Sequence, residues 1–552
     1  MGQKKGYIPL FLWLCLLFSC KSSEPFSKKD VKHAQKVIGL NFDDQYLDDI
    51  HRYLLRNKAG YDRMRQTKIS HHSWPTNLFN PLPIGEEPPR DQTDCEWKEE
   101  VVVERPEELE DLAFASISQL ASLISNGKVT SEELTRMFIA RIKKYDSTLK
   151  SVITLIEDDA IRTAKQRDEE LKNGRNRGVL HGIPYGVKDL VAVANHPTTW
   201  GAEPFKSQIL NETATLVEKL DAAGAVLIAK LSSGSLARGD VWFDGQTKNP
   251  WDTTQGASGS SAGSGSATAA GLVSFAIGTE TLGSITSPSH RNGIAGLRPT
   301  YGRVSREGVM SLSWSMDKVG PMCRSAADCA IVFKTIQGFD PEDPTTYKNV
   351  GFCFEEKPMT QLKIGVLENL IESDTTDGGN NMRKTIKLLR EKGVTLIPDS
   401  LPDNHPFEVF DIILRAEAGA FFDTLVLSGA IDNMVQQGYR SRANSLRQSR
   451  FITAVEYIQA SRYRGKLIQD MHQLLKKYDV LITPTFGGTQ LLITNLTGHP
   501  VITVPNGFDK RGRPTSISFL GNLFDEASIL AFAKAFQDMS DHHKKHPGMV
   551  LR

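Results

Sequence analysis

Apolar residues of this 552-residue chain fall into short continuous runs, several of which follow a stretch of helical periodicity and a glycine. Leu216, Val217 and Leu220 lie on one helical face, and Gly224 separates them from the apolar run 225–229. The same order recurs further along the chain, with apolar runs at 272–277, 394–397 and 480–483. Continuously apolar runs are typical of strands buried on both faces, and alternation with helices favours parallel pairing. The pattern predicts an α/β fold in which helices cover a large, mostly parallel mixed sheet.

Two further stretches have helical periodicity. Thr130 and Glu133 occupy capping-box positions ahead of an apolar face, which predicts a helix beginning near residue 130. Upstream, an amphipathic helix is predicted around residues 42–54, and a proline-rich link follows it at 81–89. We read this upstream part as a helical arm that precedes the main domain.

The first twenty residues have the pattern of an export signal. Lys4 and Lys5 precede the apolar run 8–18, which is too short to span a bilayer permanently. Cys20 follows Ser19 at the end of this run, an arrangement similar to a bacterial lipobox, in which the cysteine becomes the lipidated first residue of the mature protein. The sequence thus predicts an exported protein of the periplasm or cell envelope that is anchored to the membrane through a lipid on Cys20.

We expect three parts along the chain. No internal repeat and no long low-complexity linker divides its larger portion. The parts are a signal peptide at 1–20, an N-terminal helical extension and linker at 21–108, and a single α/β/α layered domain at 109–552.

Charge and cysteine content narrow the possible partners. The 66 Lys+Arg residues balance 65 Asp+Glu residues, so no basic excess is available for phosphates and nucleic acid is not expected as a partner. The cysteines beyond the signal form no CxxC pair, which disfavours a zinc site. The sequence leaves open the oligomeric state and whether these cysteines form disulfides; they are Cys95, Cys323, Cys329 and Cys353.

One segment holds two serine clusters at a fixed distance. The stretch 256–299 joins a Gly/Ser loop, a short Ala-rich helix, an apolar strand and a second Gly/Ser turn, so that Ser284 follows Ser260 by 24 residues. Upstream, in the run HGIPYGVKDL, Lys188 follows a short and mostly apolar segment. Together these motifs resemble the amidase signature family, whose hydrolases use a serine, a second serine and a lysine. Similar blocks at 310–324 and 495–508 extend the resemblance over most of residues 110–540.

The resemblance implies a role for each matched side chain. Ser284 is expected to be the nucleophile, and Ser260, preceded by a cis peptide bond in the relatives, is expected to pass the proton of Ser284 to Lys188. A lysine with its usual pKa of about 10.4 is protonated at pH 7, so Lys188 must be buried to act as a base. The expected oxyanion hole consists of backbone N–H groups, those of Thr281, Leu282, Gly283 and Ser284.

These roles imply an amidase that hydrolyses a linear carboxylic amide to acid and amine through a serine acyl-enzyme. No metal or cofactor is implied. The expected partner is a small-molecule or peptide amide, and peptide, aryl and fatty amides all remain open as substrates.

Three other interpretations remain. Residues 259–263 also fit the G-x-S-x-G nucleophile elbow with Ser261 attacking and His290, His405 or His499 as base, although no buried strand precedes them. The resemblance also admits a noncatalytic binding protein on the same fold and a glutamine-hydrolysing amidotransferase A-type subunit.

The chain departs from the family pattern at three places. Leu282 stands where many members have glycine, and Thr286 replaces a frequent arginine. After Glu417, the Arg-Tyr-Asp-Gly run of the tRNA-amidotransferase A subunits is missing, which counts against the amidotransferase interpretation.

Overall fold

The computed structural model describes residues 2, 25–66, 69–70, 72–89, 92–95 and 101–550 of the chain. These residues belong to two compact units, one at 1–70 and the other at 71–552. Apart from Gly2, the predicted signal peptide at 1–20 lies outside the described residues, and so does Cys20.

The smaller unit is a pair of helices. Helix α1 spans Lys28–Val37 and begins with a capping box in which Ser27 and Asp30 bond reciprocally, and helix α2 spans Leu47–Gln66. The two helices pack against each other. The sequence-predicted helix at 42–54 thus corresponds to the first half of α2, because Asp43 caps a short 3-10 turn that delays the start of the α-helix to Leu47.

The larger unit is built on one eleven-stranded sheet with two short hairpins beside it. The sheet order is β1-β3-β2-β8-β10-β9-β14-β15-β13-β11-β12, and the hairpins are β4-β5 and β6-β7. The fifteen strands are β1 Val152–Leu155, β2 Pro184–Lys188, β3 Val226–Leu231, β4 Val241–Trp242, β5 Gly245–Gln246, β6 Lys248–Asn249, β7 Asp252–Gly256, β8 Phe275–Glu280, β9 Ala295–Arg298, β10 Lys318–Cys323, β11 Ile364–Val366, β12 Leu396–Pro398, β13 Val480–Pro484, β14 Val501–Phe508 and β15 Pro514–Leu520.

Helices surround this sheet. Helix α4 begins at Ser131 after the capping box of Thr130 and Glu133, which confirms the sequence prediction at that position. The α-helices of the larger unit are α3 Ile117–Ser125, α4 Ser131–Leu149, α5 Glu157–Lys172, α6 Thr215–Ala222, α7 Ala262–Ala269, α8 Thr286–Asn292, α9 Ala326–Ile336, α10 Glu368–Glu372, α11 Asp377–Glu391, α12 Asp411–Phe421, α13 Asp423–Leu427, α14 Arg442–Ser449, α15 Ala454–Leu475, α16 Gln490–Thr497 and α17 Glu526–Ser540.

Both faces of the sheet are covered. In β13, Val480 and Ile482 pack into one hydrophobic cluster and Leu481 into a second one, and all three are completely buried. Alternate side chains of a strand point to opposite faces, so each face has its own core. The predicted α/β class, with a large mixed sheet covered by helices, is confirmed.

The strand directions differ from the expectation of a mostly parallel sheet. Four neighbouring pairs are parallel, namely β2 with β3 and β8, and β11 with β12 and β13. The other six pairs are antiparallel. The apolar runs of the sequence indicate strands that are buried on both faces. Such burial is the same whether neighbouring strands run parallel or antiparallel, so the runs do not predict strand direction. The parallel group at β3-β2-β8 is the part that positions the candidate site.

A disulfide attaches residues upstream of the predicted domain start to the larger unit. Cys95 and Cys353 are bonded, and the Asp94 carboxylate accepts a hydrogen bond from the Phe352 N–H at 2.7 Å. The chain therefore divides after residue 70 in space, whereas the sequence places the start of the main domain at 109.

Two cysteines of the larger unit, Cys323 and Cys329, are buried free thiols. Over the described ranges, no helix is both long and apolar enough to cross a membrane.

Candidate active site

Lys188 is the last residue of β2 and is completely buried. Its Nζ donates to Ser260 Oγ and to Thr279 Oγ1, each at 2.8 Å. Because β2 and β8 are parallel neighbours, their carboxyl ends meet at one edge of the sheet, and this edge brings Lys188 beside Thr279. The sequence-predicted base and bridging serine are therefore in direct contact.

Burial changes the acid–base properties of this lysine. Removal from water disfavours the ammonium form and lowers the pKa of Lys188 to about 7, although the carboxylates of Asp317 and Glu280 act in the opposite direction. A substantial fraction of neutral amine is thus present near pH 7, as a proton acceptor requires.

Ser260 lies in the Gly/Ser loop that enters α7. The peptide bond between Gly259 and Ser260 is cis, as the resemblance implies. A Cβ on Gly259 would lie 1.9 Å from the carbonyl oxygen of Gly239, so only glycine fits there. The Gly234 N–H donates to the Ser260 carbonyl at 3.2 Å. The residues after β3 therefore pack directly against the bridging serine.

Ser284 belongs to the turn 281–284 between β8 and α8. The Ser261 N–H donates to its carbonyl at 3.2 Å, which joins the two serine clusters predicted from the sequence. Over the described residues, no hydrogen bond connects the hydroxyls of Ser260 and Ser284. Such catalytic contacts are often long in a free enzyme and tighten when substrate binds.

The backbone of this turn has the properties of an oxyanion site. Gly283 adopts φ +84°, a conformation that favours glycine. Within the part of the chain that the structure describes, four successive N–H groups donate to no protein acceptor, namely those of Thr281, Leu282, Gly283 and Ser284. Unpaired donors that face a cavity are available to stabilise an oxyanion. Leu282, the departure from the family pattern, is 37% exposed.

Glu280 fixes the other side of the turn. Its carboxylate accepts hydrogen bonds from the N–H groups of Ile285 and Thr286 at 2.9 and 2.8 Å, and it forms a completely buried ion pair with Arg298 at 2.7 Å. Asn495 Nδ2 adds a further bond at 2.8 Å. Burial alone would raise the pKa of Glu280, but Arg298 and the Thr286 N–H outweigh it and hold the pKa at about 2.

Sequence reasoning assigned no role to Glu280 or to Asp317. The Asp317 carboxylate accepts from the Thr281 hydroxyl and from the N–H groups of Leu312 and Ser313, so it ties the start of the turn to a second loop. The signal available for Glu280 was its place at the end of a buried strand, where a charge needs a buried partner. No sequence signal identified Asp317.

A cavity of about 750 Å³ opens beside the nucleophile turn. Thr281, Leu282 and Ser284 line it, together with Gly259 of the Gly/Ser loop. Residues of α12, of α14 and of the segments 237–239 and 439–441 contribute to its other walls. The cavity therefore gives a ligand access to the predicted nucleophile and the unpaired N–H groups at the same time.

The alternative elbow is not formed. The Ser261 hydroxyl donates to the Thr279 carbonyl at 3.1 Å. His290 contacts Ser516, His499 contacts Thr497, and His405 contacts Asp470, so none of the three candidate histidines pairs with Ser261. The strand before the loop, β7, is a partly exposed hairpin strand rather than the buried strand that an elbow needs.

Known proteins share this arrangement of elements. A peptide amidase from Stenotrophomonas maltophilia is 28% identical with a TM-score of 0.70, and the match covers 78% of this chain and 98% of that one. An amidase family protein from Bacillus anthracis is 26% identical with a TM-score of 0.71, covering 79% of this chain and 93% of that one.

Sequence comparison agrees with the structural one. The A subunit of the glutamyl-tRNA(Gln) amidotransferase from Chloroflexus aggregans is 31% identical over 80% of this chain and 99% of that protein. The profile of the Amidase family matches residues 133–494, which include Lys188, Ser260 and Ser284. The chain belongs to the amidase signature family of hydrolases.

Proposed function

We propose that this protein hydrolyses a linear carboxylic amide to an acid and an amine through an acyl-enzyme on Ser284. The observation that carries the proposal is the buried Lys188, whose Nζ contacts the Ser260 hydroxyl at 2.8 Å and whose pKa is lowered to about 7. A buried amine next to the hydroxyl of Ser260, in a loop whose Gly259 lines the same cavity as Ser284, provides a nucleophile, a proton path and a base.

Acylation begins when Ser284 Oγ attacks the amide carbon and forms a C–O bond. The proton of Ser284 passes to Ser260 as Ser260 gives its own proton to neutral Lys188. The N–H groups of residues 281–284 hold the oxyanion of the tetrahedral intermediate. The C–N bond then breaks while the relay runs backward and protonates the departing amine.

Deacylation repeats these steps with water. The relay removes a proton from the water molecule, whose oxygen attacks the ester carbon, and the Ser284 oxygen leaves and recovers its proton. One water is consumed, and one acid and one amine are released.

Labelling with a fluorophosphonate tests the assignment of the nucleophile. Wild-type protein is expected to be labelled, and Ser284→Ala to lose both labelling and turnover because it lacks only the attacking oxygen. Ser261→Ala, in which the lost hydroxyl bonds only to Thr279, serves as the matched control and should be labelled. Labelling that persists in Ser284→Ala and disappears in Ser261→Ala would contradict the proposal. A folded wild-type protein that is never labelled would favour a noncatalytic binding protein.

A second candidate function follows from the sequence relatives, which are named as amidotransferase A subunits. In such a protein glutamine would be the amide, and ammonia would be delivered to a partner. The missing Arg-Tyr-Asp-Gly run after Glu417 favours the free-standing amidase. Measurement of ammonia release from glutamine, compared with release of amine from aryl and peptide amides, distinguishes the two.

We also propose that the protein is exported and anchored through a lipid on Cys20. Support comes from the signal pattern at 1–20 and from the Cys95–Cys353 disulfide, a bond that persists in oxidising compartments. Mass spectrometry of the mature protein should find an acylated N-terminus at Cys20, and Cys20→Ala should be uncleaved or unlipidated. Recovery of the wild type from the cytosol with Met1 retained would overturn this proposal.

A further inference from the structure

Guanidinium groups dominate the charged walls of the cavity beside Ser284. Five arginines line it against a single carboxylate, that of Asp411. The arginines are Arg238, Arg415, Arg440, Arg442 and Arg447.

Two of the five are neutralised within the protein. Arg415 Nε lies 2.9 Å from the Asp411 carboxylate, and Arg447 Nη2 lies 2.5 Å from the carboxylate of Asp432, which is outside the cavity. Within the described ranges, no ion pair involves the remaining three, so the cavity keeps a surplus of positive charge.

Arg442 is the buried member of this group. Its Nε and Nη2 donate to the carbonyls of Leu236 and Ala237 at 2.9 and 3.2 Å, which fixes the direction of the side chain. Its Nη1 is buried and has no acceptor. Burial and the charge of the neighbouring Arg238 lower the pKa of Arg442 to about 9, so the group remains a cation near neutral pH.

Arg238 and Arg440 complete the group from the exposed side of the cavity. Arg238 lies one residue before Gly239, whose carbonyl packs against the Gly/Ser loop at Gly259. Arg238 is thus carried by a chain segment in contact with the loop that contains Ser260.

Like charges held close together, one of them buried and with an unused donor, destabilise the free protein. A planar carboxylate would relieve this cost, because guanidinium groups bind carboxylates through paired hydrogen bonds. We propose that the substrate is an amide that carries a carboxylate, and that Arg442, Arg238 and Arg440 bind this carboxylate while Ser284 attacks the amide carbon. This inference rests on the proposed amidase function and names its substrate class.

Matched pairs of anilides test the substrate class with purified wild-type protein. Glutaryl 4-nitroanilide and pentanoyl 4-nitroanilide differ only in a carboxylate on the acyl side, and 4-acetamidobenzoate and acetanilide differ only in one on the amine side. We expect kcat/KM to be at least tenfold higher for the charged member of one pair. Equal or lower values for the charged member of both pairs would overturn the inference and leave the amidase function standing.

Substitution of the exposed cation tests the residues. Arg238→Gln should lower the ratio of charged to neutral kcat/KM at least tenfold, since a neutral amide cannot form the ionic hydrogen bond with the carboxylate. Arg450→Gln is the matched control, because Arg450 lies outside the cavity walls and pairs with Asp423. The ratio should stay unchanged in this control. An unchanged ratio in Arg238→Gln as well would contradict the role of Arg238.

Direct binding separates this inference from the proposed reaction. Calorimetric titration with glutarate should detect binding to wild-type protein and at least tenfold weaker binding to Arg238→Gln. If no anilide is hydrolysed but glutarate binds in this way, the amidase function fails and the carboxylate site stands. If glutarate does not bind wild-type protein, the carboxylate site is wrong.

Discussion

At the scale of single residues, the low pKa of Lys188 requires that, within the described residues, no carboxylate contacts its amine. Its two hydrogen-bond partners are hydroxyls, and the carboxylates of Glu280 and Asp317 act on it only through space. A direct ion pair would hold the proton on the amine and remove the base. The hydroxyl of Thr279 thus orients Lys188 without charging it.

The pH dependence of catalysis should report this lysine. Its pKa in the folded protein is about 7, so the neutral amine forms as pH rises through 7. We expect kcat/KM for a neutral aryl amide to rise through this range and then level off. Lys188→Arg should lose most of the rate and the rise, because a guanidinium stays protonated at any working pH. Near-normal turnover by Lys188→Arg would mean that only positive charge is needed at this position.

The sequence could predict candidates for the reacting side chains but not the groups that support them. Ser260, Ser284 and Lys188 stand in recognisable motifs, whereas Glu280 depends on Asn495, which is 215 residues away along the chain. Contacts over such distances are made by the assembled sheet, and one sequence contains no signal for them.

At the scale of elements, one carboxylate, that of Glu280, holds the short turn between β8 and α8 in place. Glu280 satisfies the first N–H groups around α8 and balances the charge of Arg298 on β9. Within the described residues, the N–H groups of residues 281–284 donate to no protein acceptor, which leaves them available for the proposed oxyanion. The element is therefore ordered before substrate arrives, which is the condition for efficient electrostatic stabilisation.

Removal of this charge should cost stability and rate together. Glu280→Gln leaves the buried Arg298 without a counter-ion, and breaking a buried pair costs about 3–5 kcal/mol. Denaturant unfolding should show this loss. Glu391→Gln, which breaks an exposed pair with Lys387, is the control and should change the free energy of unfolding by less than about 0.5 kcal/mol. A change as small for Glu280→Gln would contradict the role of Glu280 in holding this turn.

The same carboxylate predicts acid sensitivity. The folded pKa of Glu280 is about 2 against an ordinary 4.5, so its contribution to stability is present above pH 4.5 and is lost as pH falls towards 2. The decrease in the free energy of unfolding between these values should be smaller in Glu280→Gln than in wild type.

Strand direction is the feature of the elements that the sequence could not supply. The run at 480–483 indicated a buried strand, and β13 is one, but it pairs parallel with β11 and antiparallel with β15. The apolar side chains of β13 are buried on the two faces of the sheet whichever way a neighbouring strand runs, so their hydrophobicity does not distinguish the two directions. The α/β class could be predicted because it depends on burial and helix alternation alone.

At the scale of the whole molecule, the larger unit is closed by a covalent link. Cys95 and Cys353 join segments separated by 258 residues. The Asp94 carboxylate and the Gln92–Val350 bridge continue the same attachment through hydrogen bonds. Residues 92–95 are therefore part of the larger unit although they precede its first long helix.

Loss of the disulfide should lower global stability. Cys95→Ser and Cys353→Ser are each expected to reduce the free energy of unfolding by about 2–5 kcal/mol under oxidising conditions. The double variant should be no less stable than the weaker single variant, since both changes remove one bond. A reducing agent should bring wild type to the level of the variants. Additive losses in the double variant would mean that the two cysteines act separately.

The contact between Gly239 and Gly259 leaves no space even for a methyl group. The backbone that carries Arg238 is thereby held at a fixed position against the loop that carries Ser260. Arg442 donates hydrogen bonds to the two carbonyls just upstream of Arg238. Such a rigid frame fixes the distance between a carboxylate bound at the proposed arginine site and the amide bond that Ser284 attacks. In a series of dicarboxylic acid monoanilides, from succinyl to suberyl, kcat/KM should therefore peak at one chain length and fall on both sides of it.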